Sequence, residues 1–188
     1  MADIGDRALQ IASSKMGARW GRFYGDADGL ALGVGTIYAD VRYAMEAEEP
    51  GFFDAVEGLV YVLTHECDVD QDNARQFNDR VLICPIIPLE HYVEAFTAEH
   101  SPEEFFHFFN QIAGDLVFRV LFFPPIPGHL TYGGLIYLNA ITNSPVSSFH
   151  DQEKKPVAAL SEDAQRAVDW KLETHLLRPK SEALSRLH

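Results

Sequence analysis

The spacing of apolar positions changes along the chain, and each change predicts an element. From Ile4 to Met16 the apolar residues Ile4, Leu9, Ile11, Ala12 and Met16 fall at helical spacing, with Gly17 as a stop. Trp20 to Tyr24 and Leu30 to Val41 are rich in aromatic and β-branched residues, and Gly25-Asp26-Ala27-Asp28-Gly29 between them is turn chemistry, so the pattern predicts a hairpin. Gly29, Gly33 and Gly35 lack the spacing of a phosphate loop and predict bulges or close packing in a curved strand. Met45 to Phe53, with Glu46, Glu48, Glu49 and Pro50-Gly51, reads as an acidic connector. Leu59 to Thr64 and Val81 to Leu89 are apolar on consecutive positions and predict adjacent antiparallel strands buried on both faces, joined by the polar stretch Cys67 to Arg80. Pro85 and Pro88 require the second strand to end or to lie on an edge.

Ser101-Pro102-Glu103-Glu104 is a helix start, with a hydroxyl cap, proline in the first turn and carboxylates facing the positive end of the dipole. That helix should run to Ala113 and stop at Gly114, burying Phe105, Phe106, Phe108, Phe109 and Ile112. Strands are expected at Leu116 to Phe123 and Leu135 to Thr142. A last helix follows Ser161-Glu162-Asp163, with the stripe Ala164, Ala167, Val168, Leu172, His175 and Leu176, and ends before Pro179. The order of elements predicts an α+β fold in one domain over residues 1–188: a strongly bent antiparallel sheet or small SH3-like β-barrel with two or three packed helices.

Composition narrows the function classes. The chain has 188 residues, 15 Lys+Arg against 28 Asp+Glu and a net charge of −13, which repels phosphate backbones and anionic lipid and excludes nonspecific nucleic-acid coating. With 47% hydrophobic and 12% aromatic residues it can bury a core, so a disordered tail is excluded. Two cysteines make no disulfide framework and suit a reducing compartment. The N-terminal residues lack a leader pattern, and the apolar runs are too short to span a bilayer. The expectation is therefore a cytoplasmic protein with no membrane segment and a protein partner, its oligomeric state open.

The unit from Val60 through Thr64-His65-Glu66-Cys67-Asp68 to Cys84-Pro85-Ile86-Ile87 resembles the strand, Asn/Asp-rich loop, strand unit of PemK/MazF-like SH3-type barrels. It is also similar to uncharacterised bacterial proteins in which a strand runs into a Ser/Thr-x-x-Cys-Asp turn. Phe122-Phe123-Pro124-Pro125, Gly133 to Leu138 and a closing helix with Arg178 fit the same group. The resemblance implies a bacterial barrel protein and, for the toxins, RNA cleavage by an arginine loop followed by a Ser/Thr. Met45 to Val56 contains no Arg, and Asp79-Arg80 stands before the second strand, so the barrel carries over without the activity.

Candidate chemistry gathers at the turn after the first apolar strand. Asp68, Asp70, Asp72 and Asp79 occupy positions 1, 3, 5 and 12 of a Ca²⁺-type loop, where alternate hard oxygen donors curl round a cation. His65 and Cys67, two apart on a strand, would leave from one face. Cys84, in the facing strand, would join them as a His/Cys/Cys Zn²⁺ site or leave Cys67 as a nucleophile beside His65, with Asp68 as orienting acid. His107, inside the Phe-rich helix, is expected to be a core histidine. Phe122 to Pro127 offers either a partner surface or a loop packed on the core, and Arg178, Lys180 and Arg186 form a basic run. Three classes result: a non-catalytic interaction or regulatory module binding a partner or cation near Thr64 to Asp72, a Cys/His- or metal-dependent enzyme centred on His65, Cys67 and Asp68, and a PemK/MazF-like ribonuclease. Acidity concentrated in Glu46 to Glu49 and Glu66 to Asp72 makes a cation or basic surface the expected ligand.

Overall fold

In chain order the elements of the computed structural model are α1 (Ala2–Trp20), β1 (Thr36–Glu46), β2 (Phe53–Val62), α2 (Glu66–Val69), β3 (Arg80–Pro88), α3 (Leu89–Thr97), α4 (Pro102–Ala113), β4 (Val120–Phe123), β5 (Gly134–Tyr137), β6 (Thr142–Pro145), α5 (Ser147–His150), β7 (Ala158–Ala159) and α6 (Glu162–Leu176). The structure describes residues 2–20, 22–47, 49–70, 79–114, 117, 119–150 and 154–176. The described strands form one antiparallel sheet in the order β4-β5-β3-β2-β1-β7, with β6 also paired to β3. It curls through 255° into a half-barrel, as the α+β reading with a bent sheet requires.

The bend has local causes. The register of β1 on β2 shifts between Tyr38 and Val41, where Asp40 takes a positive φ of 55°, and such a bulge sharpens strand twist. β3 changes partners along its length. Arg80–Ile83 pairs with β6 and Ile86–Pro88 with β5, while Ile83–Pro85 pairs with β2. β3 ends at Pro88 as expected, but Pro85 neither ends the strand nor lies on an edge: it occupies the handover between β6 and β5, where that side of β3 has no registered partner to require its missing N–H. Where β6 approaches β1, side chains replace the ladder. The Thr142 hydroxyl donates to the Ala44 carbonyl at 3.1 Å and the buried Ser144 hydroxyl to the Arg42 carbonyl at 2.7 Å.

Three apolar clusters hold the elements. On one side α1, α3 and α4 pack Ala8, Val93, Phe105 and Phe109 against Val120, Phe122 and Leu135. Inside the curl, Tyr61 meets Phe123 edge-on at 5.5 Å beside Ile37, Ile136 and Val168 of α6. The third cluster joins Tyr38, Val41, Val60 and Val62 to Leu32, Val69 and Phe149, so it anchors both short helices α2 and α5.

α4 forms where expected, and Ser101 and Glu104 complete a reciprocal capping box. Other expectations are corrected. The hairpin predicted between Trp20 and Val41 does not form: Trp20 ends α1, and Tyr24 bridges Leu160 instead of β1. The Asp26 turn does form, with the Asp28 N–H donating to the Asp26 carboxylate at 3.0 Å. The acidic connector keeps its Pro50-Gly51 turn but is shorter than expected, since β1 reaches Glu46 and β2 starts at Phe53. The strand expected over Leu135 to Thr142 is two, β5 and β6, parted by a turn in which the Ala140 N–H donates to the Tyr137 carbonyl. α1, α3, α4 and α6 with the short α2 and α5 exceed the two or three helices expected. His107 is exposed and bonds Gln111 at 3.1 Å, so it is not a core histidine. Phe122, Phe123 and Ile126 are buried, which settles that segment as core packing. On α6 the core face includes Lys171, whose ammonium donates to the carbonyls of Val117 at 3.2 Å and Val120 at 2.9 Å. Two strong acceptors compensate its burial, which the apolar stripe did not foretell.

Candidate functional site

The turn after β2 is assembled by side chains standing in for backbone. The Leu63 N–H still donates to the Leu82 carbonyl, and one residue later the Thr64 hydroxyl accepts the Leu82 N–H at 2.6 Å, so Thr64 ends the ladder with its side chain. His65 then caps α2: its Nδ1 accepts the Cys67 N–H at 3.3 Å and its carbonyl accepts the Asp68 N–H at 2.9 Å. The lone pair on Nδ1 fixes this ring with any proton on Nε2. Val69, 5% exposed, pins the single turn to the third cluster.

This geometry revises the proposed donor sets. β2 ends at Val62, so His65 and Cys67 lie on a cap and a helix and not on one strand face. Cys84 is opposite Tyr61 inside the curl, fully buried, its thiol donating to the Tyr137 carbonyl at 3.3 Å, while Cys67 is exposed. Burial pushes the Cys84 thiol up to about 12 from its ordinary value, the state of an inert core thiol. The His65/Cys67/Cys84 grouping is not assembled. In the Ca²⁺-type reading Asp68 lies within the helical turn and Asp70 caps its end, Asp79 immediately precedes β3 with its carbonyl accepting the Val146 N–H, and Asp72 lies outside the described residues. Among the described residues no group of three or more His, Cys, Asp or Glu could hold a metal ion. Arg178, Lys180 and Arg186 also lie outside the described residues.

What the fold does assemble is a cleft of about 440 Å³, lined by Ala31, Leu32, Glu66, Cys67, Val69, Asp70 and His150. Two anchors shape it. The loop before β1 passes so close under α2 that a Cβ on Gly33 would stand 2.9 Å from the Glu66 Cβ and 3.2 Å from its backbone nitrogen, so glycine is required there. On the other wall Phe149 is buried edge-on against Tyr38 at 5.2 Å, which sets His150 at the cleft. Glu66 of α2 and Asp70 at its end thus share the cleft's lining with the apolar Ala31, Leu32 and Val69, and with Cys67 and His150. Leu32 and His150 were not among the residues singled out from sequence. No local pattern ties them to Cys67, because the link runs through the third cluster.

No protein-family model matches the chain, and no curated protein matches it. The barrel expectation stands at the level of architecture, a curled antiparallel half-barrel. Among the described residues no helix is long and apolar enough to cross a membrane.

Proposed function

We propose that the chain is a non-catalytic interaction module that receives a basic side chain of a protein partner in the cleft beside α2. The observation that supports this reading is the cleft's composition: Ala31, Leu32 and Val69 provide an apolar floor, with Glu66 and Asp70 beside it. A lysine or arginine side chain is an apolar stem ending in a cation and matches both parts. The net charge of −13 adds long-range attraction for such a partner. The test is a calorimetric or NMR titration with short arginine- and lysine-bearing peptides. Saturable binding with shifts at residues 66–70, lost in Glu66→Gln/Asp70→Asn, is expected. Binding that the double variant leaves intact removes the reading.

A second reading, thiol chemistry, draws on one observation: the exposed Cys67 and His150 line the same cleft. If His150 activates the thiol, alkylation of Cys67 at neutral pH slows in His150→Ala; an unchanged rate excludes that role. RNA cleavage, the activity of the toxins whose strand-loop-strand unit this chain resembles, is tested by incubation with total RNA, and intact RNA removes it.

A further inference from the structure

Three exposed apolar side chains lie at the far end of the β1–β2 ribbon, away from the cleft and spread over its two faces: Met45 is 49%, Phe52 60% and Phe53 68% exposed. The ribbon there is two strands only. β3 pairs with β2 at Val60–Val62, and among the described residues Phe53–Leu59 has no second ladder partner. Its tip is nevertheless ordered by hydrogen bonds, from Ala47 N–H to the Phe52 carbonyl at 2.9 Å and from Phe52 N–H to the Glu49 carbonyl at 3.2 Å. The register places Glu46 directly opposite Phe53 and Asp54 directly opposite Met45. Cross-strand partners share a face, so each face of the ribbon carries an apolar group with a carboxylate beside it. Among the described residues neither Glu46, Glu49 nor Asp54 makes an ion pair, whereas Glu57 further down holds Arg42 at 3.0 Å.

We infer that the tip of the β1–β2 ribbon, Met45 with Phe52 and Phe53, inserts into an apolar pocket of a partner protein whose rim carries lysine or arginine. Charge complementarity selects this occupant. A second copy would bring Glu46, Glu49 and Asp54 against their own like charges. An anionic lipid surface repels the same carboxylates. A basic rim pairs with them while the pocket desolvates the aromatic rings, and the bonded turn limits the ordering entropy lost on docking. The surface is independent of the cleft, so either can fail without the other.

The probe is a labelled amphipathic helical peptide of leucine and lysine, followed by fluorescence anisotropy at about physiological ionic strength. Binding should weaken roughly tenfold or more in Phe52→Ser/Phe53→Ser and again in Glu46→Gln/Glu49→Gln/Asp54→Asn, each checked for an unchanged circular dichroism spectrum. All of these are compared in the Glu66→Gln/Asp70→Asn background, so that lysine binding in the cleft adds nothing and the binding read is the tip's. No binding, or equal binding by parent and tip variants, overturns the proposal. So does a concentration-dependent dimer in sedimentation, or adsorption to phosphatidylglycerol vesicles, that the Phe52→Ser/Phe53→Ser variant abolishes, since the tip would then serve a second copy or a lipid surface.

Discussion

Two helices of this protein are held in opposite ways. α4 contains its own instructions: Ser101 and Glu104 cap each other, Pro102 opens the first turn, Gly114 closes the last, and Phe105, Phe109 and Ile112 form one buried face. α2 is a single turn with a histidine as cap, one buried side chain, and a loop glycine and a neighbouring helix that fix it from outside. An element specified locally survives changes elsewhere, whereas one held by contacts moves when any contact moves. The cleft is built on the second kind, as binding segments often are.

Phe109→Ala attacks the stronger helix at its centre. The ring is fully buried and stacks on Phe105 at 5.6 Å, so its loss should lower global stability by about 3–5 kcal/mol in denaturant titration. A change near zero would mean that α4 contributes far less than its burial indicates. High pH attacks the cluster inside the curl, which is neither the one that holds α4 nor the one that holds α2. The Cys84 thiol is pushed up to about 12 and Tyr24 and Tyr61 are also raised, all by burial, so the folded state favours their neutral forms. Their stabilisation is complete below the ordinary values of 9.0 for the thiol and 10.0 for the phenols, and it is lost as pH climbs above them. Cys84→Ala should flatten the first part of that fall, and an unaltered pH–stability slope would contradict the assignment.

Gly33→Val separates the two helices more sharply. Its side chain would collide with Glu66, at a cost of about 1–3 kcal/mol concentrated on α2. Hydrogen exchange should quicken at the amides of 66–70 and leave α4 unchanged; uniform quickening would show that the turn is coupled to the global fold. Ser101→Ala should cost about 1 kcal/mol through the lost cap. His65→Ala, which removes a cap bond of the same 3.3 Å length but one outside any reciprocal capping box, should cost under about 1 kcal/mol while raising the alkylation rate of Cys67. If His65→Ala proves the costlier of these two, the contrast between the helices is reversed.

The same contrast explains what could be read in the sequence. α4, the end of α6 beginning at Ser161, and the apolar runs of β2 and β3 follow from near neighbours, so their spacing exposes them. The turn at Thr64 to Asp68 was recognisable as unusual, but not the cleft, because Leu32, Gly33 and His150 reach it across the third cluster and leave no periodic trace. Cys84 was misplaced for the same reason. His65 and Cys67 are two apart whether strand or helix holds them, and only the end of β2 at Val62 decides which. Pro85 read as an edge marker because a strand that exchanges one neighbour for another midway is a property of three distant segments.

The two hydroxyl links from Thr142 and Ser144 to β1 have a mechanical meaning. A backbone ladder is stiff, since every link is part of a planar peptide, but each of these links contains a rotatable χ1 bond. β1 can roll slightly against β6 while both links stay made, so the half-barrel has a compliant joint along one side. The joint lies at Arg42 and Ala44, at the root of the projecting ribbon. A load on Phe53 would therefore be absorbed there as a swing of the arm before it reached the packed rings of Tyr61 and Phe123.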